Sequence, residues 1–149
     1  MSITLLVEEP KWRACAGLAS RLRRAVSLAL RRSGGRARPL TLLLADDATL
    51  RALNAGFRGH DEATNVLAFP SAQKDYLGDV AIAYGIASKQ ARADGKTLGD
   101  HTLHLAVHGV LHLLGYDHER RKDARVMEAL ETAILAELGI ADPYAHRAM

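Results

Sequence analysis

Four short apolar runs constrain the fold of this chain most strongly, because each is long enough for a β-strand and too short for a stable helix. They occupy residues 2–7, 40–44, 66–69 and 78–84. The segments between and after them repeat apolar residues at three- and four-residue steps, which is typical of amphipathic helices. The resulting order, β-α-β-α-β-β-α-α-α, predicts a small α+β or mixed α/β domain.

The helical segments are bounded by recognisable start and stop signals. Asp46 or Asp47 can cap a helix that runs through Asn54, and Thr97 with Asp100 matches the weak form of a capping box. Glycines end most of the predicted helices, among them Gly56 with Gly59, and Gly115. The predicted helices cover residues 11–33, 46–54, 86–93, 97–114 and 119–138, the last with Val126, Met127, Leu130, Ile134 and Leu138 toward the core.

Bulk properties exclude several classes of protein. The length of 149 residues fits one domain with a real core, so residues 1–149 are predicted to form a single domain. The lone Cys15 excludes an internal disulfide framework and a cysteine-based zinc site. There is no apolar run of about 18 residues and no signal-peptide pattern at the start. We therefore expect a cytoplasmic protein with no membrane partner.

Positive charge is concentrated near the start of the chain. Residues 10–45 contain no Asp or Glu, whereas the whole chain has a net charge of only +3. Such a segment suggests a polyanionic partner such as RNA, although a solvated helix face explains it equally well. Its basic residues are Lys11, Arg13, Arg21, Arg23, Arg24, Arg31, Arg32, Arg36 and Arg38.

The sequence HGVLHLLGYDH, residues 108–118, has the spacing of a metal site. His108 and His112 are four residues apart, so on a helix they lie on one face. Gly115 allows a sharp turn, after which His118 can return as a third ligand. Three histidines with an open fourth position are the arrangement of catalytic zinc. The alternative is a group of polar residues at a helix end, and the triple spacing favours the metal.

Gly109 separates this motif from the zinc-protease pattern H-E-x-x-H-x-x-G-x-x-H, in which a glutamate follows the first histidine and accepts a proton. Glycine cannot accept one. Peptide cleavage also needs protonation of a poor amine leaving group, whereas the charge of a phosphodiester suits a metal together with an arginine. The sequence therefore favours a phosphodiester substrate over a peptide.

The remaining histidines are predicted to have supporting or structural roles. His104 precedes His108 by four residues, but three histidines along a straight helix span about 12 Å, too far for one ion. We expect His104 to contact a ligand or to be packed. His60, His101 and His146 are interpreted as surface or structural residues, with His60 the best placed to reach the site.

Two further blocks and the histidine motif together resemble a known family. The segment LNAGFRGHDEATNVLAFP, residues 53–70, and LGD, residues 77–79, accompany HGVLHLLGYDH in the order found in the YbeY family of single-strand-specific, metal-dependent endoribonucleases. The resemblance implies a zincin-like α+β domain, a mixed sheet of about four strands packed with helices, and a metal site at the end of a central helix. It also implies one Zn²⁺ per chain held by His108, His112 and His118, and a functional role for Arg58.

The activity implied by the resemblance is zinc-dependent cleavage of single-stranded RNA in 16S rRNA 3′-end maturation and ribosome quality control. The expected partners are rRNA and the small ribosomal subunit, with no DNA. Two alternatives stay open: a non-catalytic RNA-binding assembly factor with structural zinc, and a zinc hydrolase of another substrate, such as a peptidase. Arg21, Arg24, Arg31 and Arg32 are predicted to bind RNA, and His104 and Asp117 to support the metal ligands.

Overall fold

The computed structural model describes residues 3–34, 36–116 and 121–145. It is a mixed α+β fold with a four-stranded sheet and, in these ranges, five α-helices. All four predicted strands are confirmed. The elements are β1 (Ile3–Val7), a 3₁₀ helix (Pro10–Ala14), α1 (Leu18–Arg32), β2 (Leu40–Ala45), α2 (Asp47–Arg58), β3 (Val66–Pro70), β4 (Gly78–Ala83), α3 (Tyr84–Ala93), α4 (Leu98–Leu113) and α5 (Arg121–Glu137).

The sheet is mixed, with strand order β1-β2-β4-β3. Strands β1, β2 and β4 are parallel, and β3 is an antiparallel edge strand beside β4. Parallel neighbours need a crossover, and α1 supplies one between β1 and β2. In the register, Val80 of β4 lies between Leu42 of β2 and Ala68 of β3. The strand order places β3, which follows the loop after α2, at one edge of the sheet.

Helices cover the two faces of the sheet unequally. On one face α1 and α4 contact the main core, and α5 packs against both of these helices. On the other face, α2 covers a smaller cluster that includes Leu50, Leu67 and Ala81. Helix α4 is the central helix, with Leu103, Val107 and several other residues fully or nearly fully buried. No helix in the described ranges is both long and apolar enough to cross a membrane.

The prediction of one helix over residues 11–33 was wrong. The chain forms the 3₁₀ helix first, and α1 starts only after Gly17, whose φ of 70° is left-handed. A left-handed residue cannot continue a right-handed helix, so the two segments are separate. Trp12 is nevertheless buried, and its Nε1–H donates to the carbonyl of Ala45 at 3.0 Å.

Both predicted N-caps are confirmed. Asp46 accepts a hydrogen bond from the Thr49 amide at 2.8 Å, and the hydroxyl of Thr97 accepts one from the Asp100 amide at 3.1 Å. Each satisfies an amide that has no partner within its own helix.

Two smaller predictions were wrong. Of the two glycines predicted to end α2, Gly59 does so, with a φ of 71°, but Gly56 lies inside the helix. Val126 is 53% exposed, because the buried side of α5 runs through Met127, Glu131 and Ile134.

Candidate active site

A polar cleft of about 760 Å³ brings several predicted residues together. His108 and His112 from the second half of α4 line one side of it. Arg58, at the end of α2, and His60, in the following loop, also line it, together with β3. Residues 50 positions apart in sequence thus face the same open volume.

The two helical histidines lie on one face of α4, as their spacing predicts. Their ring centroids are 4.8 Å apart, and the ring planes are inclined by 74°. Helix α4 ends as expected, with Leu114 as its cap and Gly115 at a φ of 98°. The other two predicted residues of this motif, Asp117 and His118, lie outside the described residues.

The donor chemistry of the pair fits zinc, since imidazole nitrogens are preferred zinc ligands. His108 also has the support that metal-bound histidines usually have, because its Nδ1 is hydrogen-bonded to a carboxylate. Among the residues that the structure describes, no three His, Cys, Asp or Glu side chains are placed to hold a metal ion. The third predicted ligand, His118, is not among them.

The carboxylate behind His108 belongs to Glu131, a residue that is not among the predicted site residues. Glu131 is 0% exposed, and its Oε1 lies 2.7 Å from His108 Nδ1. Its Oε2 accepts a hydrogen bond from the Tyr144 hydroxyl at 2.6 Å. His104 contacts the same group, with Nε2 3.5 Å from Oε1 and 3.2 Å from the Tyr144 oxygen.

These contacts keep Glu131 ionised. Burial alone raises the pKa of its carboxyl, but hydrogen bonds from His104, His108 and Tyr144 lower it to about 2. A signal for this residue was present in the sequence: Glu131 is four residues after Met127 and three before Ile134, on the core-facing row of a helix. A charged residue in an apolar row indicates a buried partner.

Arg58 is held at the edge of the cleft by two contacts. Its guanidinium donates a hydrogen bond to the carbonyl of Ala68 at 2.6 Å and lies 5.6 Å from the ring centroid of Phe69. Phe57, the preceding residue, is 74% exposed, and its ring centroid is 5.4 Å from that of Phe69. Phe57 and Phe69 line a neighbouring apolar cleft of about 740 Å³, and Arg58 lines both this cleft and the polar one.

The loop between α2 and β3 is fixed by hydrogen bonds to buried Asn54. The side-chain amide of Asn54 donates to the backbone carbonyl of Glu62 at 3.0 Å. The backbone carbonyl of Asn54 accepts a hydrogen bond from the His60 amide at 3.2 Å. Asn65 continues this support, because it accepts from the Val66 amide at 2.7 Å and donates to Gln90 at 3.1 Å. The loop therefore presents His60 to the cleft from a defined backbone.

The four predicted RNA-binding arginines are on α1, and two of them have carboxylate partners. Arg21 contacts Asp100 at 2.5 Å, and Arg32 contacts Glu137 at 2.5 Å. The side chains of Arg24 and Arg31 are exposed. None of the four lines the cleft, but the end of α1 is close to it, because the Tyr116 hydroxyl donates to the carbonyl of Ser33 at 3.3 Å.

The fold and the cleft define a class: a small mixed α+β protein with a histidine pair, a supporting buried carboxylate and an arginine around one open polar site. A family model described as Endoribonuclease YbeY matches residues 14–139. The chain belongs to this family.

Individual relatives agree with the family match. The chain is 45% identical to Endoribonuclease YbeY of Rhodopseudomonas palustris, over 95% of this chain and 80% of that protein. The corresponding Nitrobacter winogradskyi protein is 46% identical over the same shares. The solution structure of TM1509 from Thermotoga maritima has a TM-score of 0.58 at 25% identity and covers 95% of this chain and 97% of that one.

Proposed function

We propose that this protein cuts single-stranded RNA in a zinc-dependent reaction, with His108, His112 and His118 as the metal ligands. Its place in the YbeY family makes it an endoribonuclease. The observation that carries the finer proposal is the cleft itself, in which the histidine pair and Arg58 line one volume. A zincin-like arrangement, with the metal near the end of central helix α4, follows from this assignment.

Zinc bound at this position would supply a Lewis acid and a lowered pKa for its bound water. The chain's own residues support that use. His108 and His112 are on adjacent turns of a rigid, buried helix, so their rings keep a fixed separation. The cleft is open, which leaves space for a polymer to cross it.

Arg58 is the residue that we assign to the scissile phosphate. A guanidinium can bind two phosphate oxygens in a fixed geometry and stabilise the charge of the transition state. The hydrogen bond to Ala68 restrains its position, while its remaining donors are available to a ligand. Because it lines the same cleft as the histidines, it can reach a phosphate that the metal site also contacts.

The exposed ring of Phe57 supports a single-stranded substrate. Bases of single strands are unstacked and can stack on aromatic side chains, whereas paired bases in a duplex cannot. Phe57 is next to Arg58 in the chain, and the side chains of both contact the ring of Phe69. A nucleotide bound through its phosphate at Arg58 therefore has an aromatic surface close by.

The cellular context that we propose is maturation of the 3′ end of 16S rRNA and ribosome quality control in the cytoplasm, with the small ribosomal subunit as partner. The basic residues of α1 support an RNA partner, since exposed Arg24 and Arg31 add positive charge to the surface. Among the described residues, neither forms an ion pair with a carboxylate within 4 Å, unlike Arg21 and Arg32.

One experiment tests the proposal directly. The purified protein is analysed for metal content, and its cleavage of single-stranded RNA is measured with and without a chelator, then after zinc is added back. We expect about one zinc per chain, loss of cleavage with chelator and recovery with zinc. His112→Ala should contain no zinc and cleave no RNA. Cleavage by the metal-free variant at the wild-type rate would refute the metal assignment.

The same assay separates the two alternatives. A peptidase would cleave an unstructured peptide in preference to the RNA. An assembly factor with structural zinc would bind RNA and retain metal, but would not cleave.

A further inference from the structure

Glu131 is buried at a position where a carboxylate is costly. It is 0% exposed in α5, between fully buried Met127 and Ile134. An unpaired charge there would be strongly destabilising, and an apolar side chain of similar size would pack without that cost. Its presence therefore calls for an explanation beyond packing.

Both carboxylate oxygens have specific donors. Oε1 is 2.7 Å from His108 Nδ1, and Oε2 accepts the Tyr144 hydroxyl at 2.6 Å. His104 Nε2 is near both, 3.5 Å from Oε1 and 3.2 Å from the Tyr144 oxygen. Tyr144 donates to Oε2, and the short contact of Oε1 has the geometry of a carboxylate that accepts the Nδ1 proton of a histidine ligand.

We propose that Glu131 is a positioning residue that fixes His108 in the tautomer protonated at Nδ1, and that Tyr144 in turn holds Glu131. Nε2 of His108 is then the nitrogen with the lone pair that can bind a metal in the cleft. The inference rests on the proposed ligand role of His108. It also gives His104 a defined place, as a second contact of the same carboxylate.

The arrangement links the segment after α5 to the candidate active site. Tyr144 is fixed locally, because its amide donates to the Asp142 carboxylate at 2.8 Å. Its ring packs edge-on against that of His104, with centroids 5.5 Å apart. The orientation of a metal ligand on α4 thus depends on residues more than 20 positions later in the chain.

The test uses two variants that keep side-chain volume, Glu131→Gln and Tyr144→Phe. The matched control is Glu137→Gln on the same helix, whose carboxylate is bound to Arg32 at the surface. The tautomer of His108 is measured by ¹⁵N NMR of the ring nitrogens in metal-free protein, and the zinc dissociation constant by competition with a chelator. Both readouts are independent of RNA cleavage.

We expect the His108 ring of the wild-type protein to have its proton on Nδ1 and none on Nε2. A glutamine can also donate, so Glu131→Gln should mix the two tautomers and weaken zinc binding about 10- to 100-fold. Tyr144→Phe should have a smaller effect in the same direction, and Glu137→Gln none. An unchanged tautomer in Glu131→Gln would overturn the inference, even if zinc binding fell.

If Glu131→Gln does not fold, the tautomer and the zinc affinity of Tyr144→Phe test the inference, because this variant removes one hydroxyl and leaves the carboxylate in place. Zinc affinity and tautomer equal to wild type in Tyr144→Phe would overturn the role of Tyr144. Failure of the proposed function has a different signature: the wild-type protein would neither bind zinc nor cleave RNA, whereas the tautomer measurement would still report the link between Glu131 and His108.

Discussion

Gly109 of α4 lies directly against Val80 of β4. A Cβ atom at position 109 would be 2.6 Å from Val80 Cγ1, closer than real Cβ atoms approach, and 3.1 Å from Cγ2, which is also tight. The glycine that replaces the protease glutamate therefore has a packing reason: the central helix contacts the sheet through its backbone. Any side chain there would require Val80 to shift, and the glycine itself offers no group that could act as a base.

Replacing Gly109 by alanine should destabilise the protein. Alanine favours a helix over glycine by about 1 kcal/mol, but forcing a methyl group into a filled core costs about 1–3 kcal/mol. We expect a net loss in the free energy of unfolding, measured by urea denaturation. Val80→Ala in the same chain should recover part of that loss, because it removes the atoms that clash. Strictly additive effects of the two substitutions would contradict the contact.

Arg58→Ala should reduce cleavage of single-stranded RNA about 100-fold, since removing one charge-stabilising donor typically has an effect of this size. Zinc content should not change, because no metal ligand is removed. Arg58→Lys should restore only part of the activity, as an ammonium lacks the planar pair of donors. The control is Arg51→Ala on the same helix, an exposed residue paired with Asp61 at 2.8 Å. Equal losses in both variants would argue against a specific role.

Phe57 offers a test of the stacking role. Stacking of one base on an aromatic ring is worth about 1–3 kcal/mol. We expect Phe57→Leu to weaken binding of single-stranded RNA about tenfold and Phe57→Tyr to retain it, measured by fluorescence anisotropy. Val126→Ala, at another exposed apolar residue, should bind normally. If leucine served as well as tyrosine, Phe57 would contribute apolar surface and no stacking.

The burial of His101 predicts that the protein loses stability in mild acid. It is 6% exposed, its Nε2 is 2.9 Å from Gln90 Oε1, and its Nδ1 is buried without a hydrogen-bond partner in the described residues. Burial, together with the charges of His104 and Lys96, lowers the pKa of His101 from 6.5 to about 4, although nearby Asp94 opposes the shift.

Between about pH 4 and pH 6.5 the unfolded chain therefore binds a proton that the folded chain does not. The free energy of unfolding should fall as the pH drops through this window, by up to about 3 kcal/mol, and be fully retained above it. Urea denaturation at about pH 7 and pH 5 measures this, with His101→Gln as the comparison. The variant should lose less stability between the two pH values. Glu131 contributes little to this comparison, because its pKa is lowered from 4.5 to about 2, and the stability that it adds is lost mainly between about pH 4.5 and pH 2, below both measured pH values.

Local patterns in the sequence determined much of the fold. The strands could be recognised because alternation and length are properties of a few neighbouring residues, and the caps at Asp46 and Thr97 depend on contacts within one turn. The same reasoning placed His108 and His112 on one face, since a spacing of four is a property of any helix. The prediction of a continuous helix was wrong at Gly17, where the apolar spacing continues although the backbone turns to a left-handed conformation.

Tertiary structure decided the rest of the candidate site. Arg58 meets the histidines only because α2 and β3 bring the end of one helix beside the middle of another. Glu131 reaches His108 across 23 positions through the packing of α5 on α4, and Val80 explains Gly109 only when β4 lies beneath the helix. Spacing along the chain sets which side chains share a face, but which faces meet is set by long-range packing, and periodicity carries no information about that pairing.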